Sequence, residues 1–265
     1  MGFFDNLFGK FKQDEPKPQK SEERILLTKD QLIEKLKPFK RMAYIPLVGE
    51  GAATFDAKSK MGGYPYLRNE EDWPRCPNCN NHMQLFIQLS MSQLPEKKSE
   101  GLVQLFYCTN SDEECESANE SYEAFSKGSV CRRITISGDS ASIDPEIEEL
   151  YPEMVINRWQ TKDDYPDRQE YEDLGILMDD PDGELYEIIE EEGLVPCTGD
   201  KLFGWPYWVQ SVRYPDSQKI GTKMELLFQI DSEVNLPYMF GDSGIAYLTR
   251  APTDEDELAF RWDCY

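Results

Sequence analysis

Apolar positions in this chain come mostly in short runs, which is typical of strands. Residues 85–89 (LFIQL) and 102–107 (LVQLFY) are two such runs, and a polar loop separates them. This arrangement predicts an antiparallel hairpin. Residues 41–55 and 196–265 have a similar strand-like and aromatic character. The pattern therefore predicts a β-rich protein.

Helical patterns are limited to a few segments. Thr28 and Gln31 stand at the positions of a capping box, which is a signal for the start of a helix. This helix is expected to end near Lys37, because Pro38 disfavours its continuation. Residues 163–192 are strongly acidic and predict two helices on the surface.

The first 23 residues form a separate region. Residues 1–12 place apolar side chains at helical spacing, whereas residues 13–23 are polar and contain prolines, as expected of a linker. An amphipathic segment of this kind is able to contact a membrane surface. We favour instead a frayed terminus, or a helix that covers its own core. The apolar side chains of the segment are Phe3, Phe4, Leu7, Phe8 and Phe11.

Three short patterns occur twice in the same order. A Gly-aromatic-Pro-aromatic turn at residues 63–66 recurs at 204–207, and a strand with a central glutamine at 85–89 recurs at 226–230. In each copy the glycine precedes the glutamine by 25 positions, and a further glycine and apolar strand follow. The shared order and spacing indicate an internal duplication.

We therefore expect an α+β, β-rich fold for residues 24–265. In this prediction two antiparallel strand-based repeats, at about residues 41–143 and 196–265, pack into one domain. The chain's best candidate for a metal site belongs to the first repeat only.

Four cysteines flank the predicted hairpin. Cys76 and Cys79 precede its first strand, and Cys108 and Cys115 follow its second strand. The start of one strand lies beside the end of its antiparallel partner, so the hairpin brings four thiols to one end. Four thiolates are a common ligand set of structural zinc, which is tetrahedral and keeps no open position. The sequence thus predicts a zinc-knuckle-like insertion that holds a structural zinc.

Some features leave alternatives for the ligand set. Six residues separate Cys108 from Cys115, which is wider than the usual spacing. Cys131 is an alternative to Cys115, and His82 is an alternative to one of the thiolates. The chain has seven cysteines and no recognisable secretory segment. We therefore expect a reducing cytoplasm, where clustered cysteines more often bind metal than form disulfides.

The formal net charge of −23 restricts the choice of partner. An acidic surface repels the phosphates of nucleic acids and anionic lipids, so neither is expected as the main partner. A basic protein or peptide is compatible with this charge. Aromatic side chains would anchor such a partner if exposed, and would pack in the core or in turns if not. The aromatic candidates for partner binding are Tyr64, Trp73, Trp205 and Trp208.

The sequence identifies no catalytic residues. Residues 241–244 (GDSG) are similar to the segment around a protease serine, but a hydrolase triad needs a histidine base. The only histidine is His82, next to the cysteine motif. The leading expectation is a non-enzymatic protein-binding module. The alternative is an enzyme that uses carboxylates in the cleft between the two repeats.

Several short motifs follow one another in a specific order: residues 62–65 (GGYP), 86–89 (FIQL), 101–107 (GLVQLFY), 227–232 (LFQIDS) and 241–244 (GDSG). This order resembles the YwqG-like family, a bacterial domain of unknown function. That family is similar to a wider group that includes the eukaryotic programmed cell death protein two, whose members act as chaperones of a ribosomal protein. By analogy, the resemblance implies a protein-binding role for this chain. We expect this role to be that of a chaperone-like or neutralising partner for a basic protein.

Overall fold

A computed structural model describes residues 26–68, 71–96, 99–110, 115, 120–143 and 145–265. The predicted amphipathic segment and linker, residues 1–23, lie outside the described residues. The strands within the described part are β1 (Arg41–Glu50), β2 (Lys60–Met61), β3 (Gln84–Ser90), β4 (Leu102–Tyr107), β5 (Ser129–Ile134), β6 (Met154–Asp164), β7 (Lys201–Leu202), β8 (Glu225–Asp231), β9 (Ile245–Arg250) and β10 (Leu258–Asp263).

All of these strands belong to one sheet, and neighbouring strands are antiparallel. The order across the sheet is β10-β9-β8-β7-β1-β6-β2-β3-β4-β5. The sheet curls until its two edge strands, β5 and β10, contact each other, so that it nearly closes on itself. One large hydrophobic core contains side chains from strands on both sides of the β1–β6 pair, including Phe86, Tyr107, Phe228 and Phe260.

The prediction of an α+β fold made of two packed strand-based repeats is wrong, although the β-rich character is confirmed. Strand β6 lies in sequence between the two predicted repeats and pairs with β1 along its length, from Glu50 with Met154 to Arg41 with Asp164. This long pair joins the two halves into a continuous sheet. A single sheet with a shared core therefore replaces two units packed against each other.

The described residues contain two short α-helices, α1 (Lys29–Leu36) and α2 (Glu184–Glu191). The predicted capping box is present at the start of α1, where the Thr28 hydroxyl accepts from the Gln31 N–H and the Gln31 side chain accepts from the Thr28 N–H. The expectation of two helices over residues 163–192 is wrong. β6 continues to Asp164, and the prolines at positions 166 and 181 interrupt helix formation between that strand and α2.

The predicted hairpin is confirmed. β3 and β4 pair from Gln84 with Tyr107 to Ser90 with Leu102, and every residue of both strands is buried. One face of the hairpin joins the large core. The other face places Leu85 and Phe106 in a smaller core that also contains the cysteines. The hairpin thus connects the cysteine cluster to the rest of the fold.

Two buried glutamines in the strands have structural roles. The Gln88 side-chain oxygen accepts from the Tyr66 N–H at 2.8 Å, and the Gln229 oxygen accepts from the Tyr207 N–H at 2.9 Å. The Gln229 amide also donates to the Gly199 carbonyl at 2.8 Å. Each glutamine therefore holds a neighbouring Gly-aromatic-Pro turn in place. The hydrogen bonds also satisfy the buried side-chain amides, which would otherwise be costly to bury.

Candidate metal centre

A tight loop carries the first cysteine pair. Arg75 and His82 pair as an antiparallel bridge at the base of this loop. Inside it, the Asn80 N–H donates to the Cys76 carbonyl at 2.8 Å. Asn80 has a φ of 61°, a left-handed conformation that asparagine adopts more readily than most residues. The loop therefore turns sharply and keeps Cys76 near Cys79.

The hairpin brings the second cysteine pair to this loop. Gln84 pairs with Tyr107, so the start of β3 lies beside the end of β4. Cys108 follows β4 directly, and its N–H donates to the Gly128 carbonyl at 2.9 Å. Cys115 is 2% exposed and packs in the same small core. The arrangement predicted from strand order is therefore present.

The four sulfur atoms form a compact group. The Sγ atoms of Cys76 and Cys115 are 3.8 Å apart, those of Cys79 and Cys108 are 3.7 Å apart, and those of Cys108 and Cys115 are 3.9 Å apart. All four lie within 4.8 Å of one another. A zinc–sulfur distance of about 2.3 Å in a tetrahedral site places neighbouring sulfurs about 3.8 Å apart. The four thiols therefore have the spacing that a single metal ion requires.

Burial affects the protonation of these thiols. It raises the pKa of Cys108 and of Cys115 above the ordinary value, because the apolar surroundings disfavour the charged thiolate. A metal cation reverses this preference, since a coordinating thiol is deprotonated. Three of the four cysteines are buried and Cys79 is half-buried. The cluster therefore suits a bound cation better than a reactive nucleophile.

The two alternative ligands lie outside the group of four. Cys131 is in β5 and packs against the large core. The Nδ1 atom of His82 accepts from the Glu146 N–H at 3.0 Å. The structure thus brings together the four cysteines first predicted, and whether they bind zinc remains a prediction.

The comparison with known protein families identifies the family of this chain. Residues 59–264 match a family described as a domain of unknown function (DUF1963). The chain belongs to the DUF1963 family. All four clustered cysteines fall inside the matched region. No protein of curated function matches the chain.

Three of the aromatic candidates for partner binding are buried in this DUF1963 domain. Trp73 is 1% exposed, and Trp205 and Trp208 are each 4% exposed. Their indole N–H groups all bond inside the protein: Trp73 to the Met83 carbonyl, Trp205 to the Phe39 carbonyl, and Trp208 to the Glu170 carboxylate.

Tyr64, the fourth aromatic candidate, is half-buried. Its ring stacks on Phe55 with centroids 4.4 Å apart and contacts Trp73 edge to face. These contacts support the packing alternative for the four rings, and their role in partner binding remains a prediction.

Two buried lysine–carboxylate pairs were not predicted from the sequence. The Lys60 ammonium lies 2.9 Å from Glu153, and the Lys201 ammonium lies 3.2 Å from Asp164; both lysine side chains are fully buried. The sequence contains a pattern that could have indicated these lysines, because each of them stands three residues before the glycine of a Gly-aromatic-Pro turn. No helix among the described residues is both long and apolar enough to cross a membrane.

Proposed function

We propose that this DUF1963 protein is a non-enzymatic protein-binding module that contains a structural zinc and binds a basic protein or peptide in the cytoplasm. The cluster of four cysteine sulfurs within 4.8 Å of one another is the observation that carries the zinc assignment. Four thiolates complete the tetrahedral coordination of zinc and leave no position for a substrate.

A zinc bound at this cluster would stabilise the fold by joining two elements of the structure. It would connect the loop of Cys76 and Cys79 to the end of the β3–β4 hairpin, where Cys108 lies beside Cys79. The small core between them also contains Trp73, which packs against Phe106. The metal would therefore hold one end of the sheet together, which is the role of zinc in closed four-thiolate sites.

Charge supports a basic partner. The chain has 51 acidic residues and 28 lysines and arginines. Part of this excess is presented by α2, which packs on a small core through the buried Ile189 and leaves its glutamates exposed. An exposed acidic face attracts a basic partner at long range and releases it when salt screens the charges. The analogy with the wider group of chaperones noted in the sequence supports the chaperone-like variant of this role.

The fold does not support the cleft that the enzymatic alternative places between two repeats. That alternative required a cleft between two repeats, whereas the structure has a continuous sheet. Burial raises the pKa of Asp200 to about 7, a range that suits acid–base catalysis. Asp200 is nevertheless only 2% exposed and accepts from the Asp231 N–H and from Asn235. Its environment is that of a structural carboxyl.

Affinity purification of the tagged full-length chain from its native cells, at low and at high salt, tests the partner proposal. We expect a near-stoichiometric basic protein at low salt that is lost at high salt. The pair Glu187→Lys and Glu191→Lys on α2 is expected to weaken this capture. The exposed pair Glu148→Lys and Glu149→Lys alters net charge equally and serves as the matched control. Absence of any specific co-purifying protein at either salt would contradict the proposal.

A further inference from the structure

A cavity of about 310 Å³ lies at one end of the curled sheet. β1 begins there at Arg41, β8 begins at Glu225 and β9 ends at Arg250, and all three residues line the cavity. The volume is at the lower end of the range of small-molecule sites, which often lie at the mouths of barrel-like sheets. We call this space the Phe203 cavity, after the aromatic residue in its wall.

Phe203 has a strained backbone. Its φ of 60° lies in the left-handed region, which bulky residues rarely adopt. In the first copy of the repeated pattern the same position holds Gly62, with a φ of 63°. The N–H of Gly62 donates to the Phe86 carbonyl at 3.4 Å, and that of Phe203 donates to the Leu227 carbonyl at 3.0 Å. Both turns therefore need a left-handed residue, and a phenylalanine stands where glycine would be free of strain. Strained residues of this kind cluster at ligand sites.

The Phe203 ring is an apolar wall that ligands are able to reach. It contacts the Tyr44 ring edge to face with centroids 6.2 Å apart, and the Arg250 guanidinium lies 5.1 Å from its centre. Its inner side packs against the large core. The ring is nevertheless only half-buried, so part of its surface remains accessible at the cavity.

Two guanidinium groups in the cavity wall have donors to spare. That of Arg41 lies 3.4 Å from the centre of the Trp205 ring, and its Nη1 donates to the Gly204 carbonyl at 3.2 Å. Arg41 is exposed and forms no ion pair among the described residues. For Arg250, the one carboxylate within ion-pair distance in the described part of the chain is Glu255, at 4.0 Å, and its own side chain is 16% exposed. A guanidinium has five N–H donors, so both groups are able to bind a ligand.

The same wall contains two carboxylates. Glu225 stands opposite Arg250 in the β8–β9 pair, and opposite residues of an antiparallel pair have side chains on the same face. Glu225 is exposed, and these two side chains form no ion pair with each other in the described structure. Glu96 accepts from the Tyr44 hydroxyl at 3.4 Å. The formal charges of two arginines and two glutamates cancel. A simple anion or a simple cation would meet like charge here, whereas a ligand that carries both charges is matched.

We propose that the Phe203 cavity binds a free α-amino acid with an apolar side chain. Arg41 and Arg250 bind its carboxylate, because guanidinium groups form strong charge-assisted bonds with carboxylates. Glu225 binds its ammonium group, and its side chain contacts the Phe203 ring and Met42. This proposal is independent of the protein-binding role, because it concerns a small ligand and a surface remote from α2.

Isothermal titration calorimetry of the full-length protein with L-leucine and with L-phenylalanine tests this binding. The N-acetyl derivative of each amino acid lacks the ammonium charge, and the amide derivative lacks the carboxylate. We expect saturable binding of at least one amino acid, and a Kd at least about tenfold higher for each of its two derivatives, since a hydrogen bond to a charged group is lost. Absence of saturable binding of both amino acids would overturn the proposal. A derivative that binds as tightly as its parent amino acid would also overturn it.

Matched variants locate the binding. Arg41→Gln and Glu225→Gln change exposed side chains, so both variants are expected to fold. Each is expected to raise the Kd at least about tenfold, because one charged partner of the ligand is lost. Arg158→Gln and Glu50→Gln are the controls, since these exposed residues lie towards the opposite end of the β1–β6 pair. Their Kd is expected to equal that of the unaltered protein. An unchanged Kd in either folded cavity variant would refute the assignment of the two charges.

A further variant tests the aromatic wall. Phe203→Gly introduces the residue that the first copy has at this position, Gly62, so the left-handed backbone is retained without strain. The variant removes the ring that contacts the apolar side chain of the ligand. We expect its Kd to rise several-fold while its circular dichroism spectrum stays that of the folded protein. A Kd equal to that of the unaltered protein would exclude Phe203 from the site and contradict the proposal.

Discussion

Replacing the buried carboxylate of Asp164 is expected to destabilise the protein strongly. Asp164 is fully buried and accepts from the Lys201 ammonium at 3.2 Å, the Cys197 N–H at 2.5 Å and the Trp205 N–H at 2.6 Å. Asp164→Asn leaves the buried Lys201 ammonium without its ion-pair partner. It also places an amide where only acceptors fit, so the backbone donors around the site lose part of their bonding.

The expected loss follows from the burial of both partners. Removing one partner of a buried ion pair costs about 3–5 kcal/mol. For a domain of this size each kcal/mol corresponds to about 2–4 °C in Tm, so Asp164→Asn is expected to lower Tm by roughly 6–20 °C. Burial already lowers the pKa of Lys201, and deprotonation of this lysine would place the loss at the lower end of the range.

Asp163→Asn is the matched control. Asp163 is the preceding residue of β6 and bonds to Lys40 at 2.6 Å, but the two side chains are 51% and 43% exposed. Exposed pairs of this kind contribute about 0–1 kcal/mol. Thermal unfolding followed by circular dichroism compares both variants with the unaltered protein. Equal Tm values for Asp163→Asn and Asp164→Asn would refute the reasoning.

Two further predictions concern pH and the cysteines. Burial alone would raise the pKa of Asp56, but the ammonium groups of Lys58 and Lys60 outweigh it and lower this pKa to about 2. The folded pKa is below the unfolded one, so Asp56 stabilises the fold above about pH 4. About 1–2 kcal/mol is therefore lost as the pH falls from 4 towards 2, and acid titration of Asp56→Asn is expected to lack this component. In the second prediction, Cys76→Ser combined with Cys79→Ser lowers Tm by roughly 6–16 °C, because a cross-link over a loop of about 30 residues contributes about 3–4 kcal/mol. Cys131→Ser is the control and is expected to change Tm little. Equal changes in Tm for the double variant and for Cys131→Ser would contradict the assignment of the metal ligands.

Local sequence predicted the elements around the candidate site. The β3–β4 hairpin has short-range pairing between two apolar strands, and the order of strands and cysteines then determines where the thiols meet. The capping box of α1 is likewise local, since Thr28 and Gln31 are three residues apart. Predictions of this kind need only residues that are near one another along the chain.

The sheet order depended on contacts that are distant in sequence. β1 pairs with β6 more than 100 residues later, and nothing in the apolar pattern of either strand specifies its partner. The strands predicted in both copies of the repeated patterns are present. The inferred architecture of two packed repeats was nevertheless wrong, because the β1–β6 pair joins the two halves into one sheet. The sequence also could not predict whether Trp73, Trp205 and Trp208 are buried, because aromatic side chains near prolines occur both in cores and in exposed turns.

The metal content of the protein tests the central claim most directly. Native mass spectrometry of the full-length protein, purified without added zinc, measures the metal bound per chain, and Cys131→Ser is the control that keeps the four-thiol group. We predict one zinc per chain in the unaltered protein and in this control, and none in Cys76→Ser combined with Cys79→Ser. A fully folded protein that contains no metal, or a double variant that retains its zinc, would contradict the assignment of the cysteine cluster.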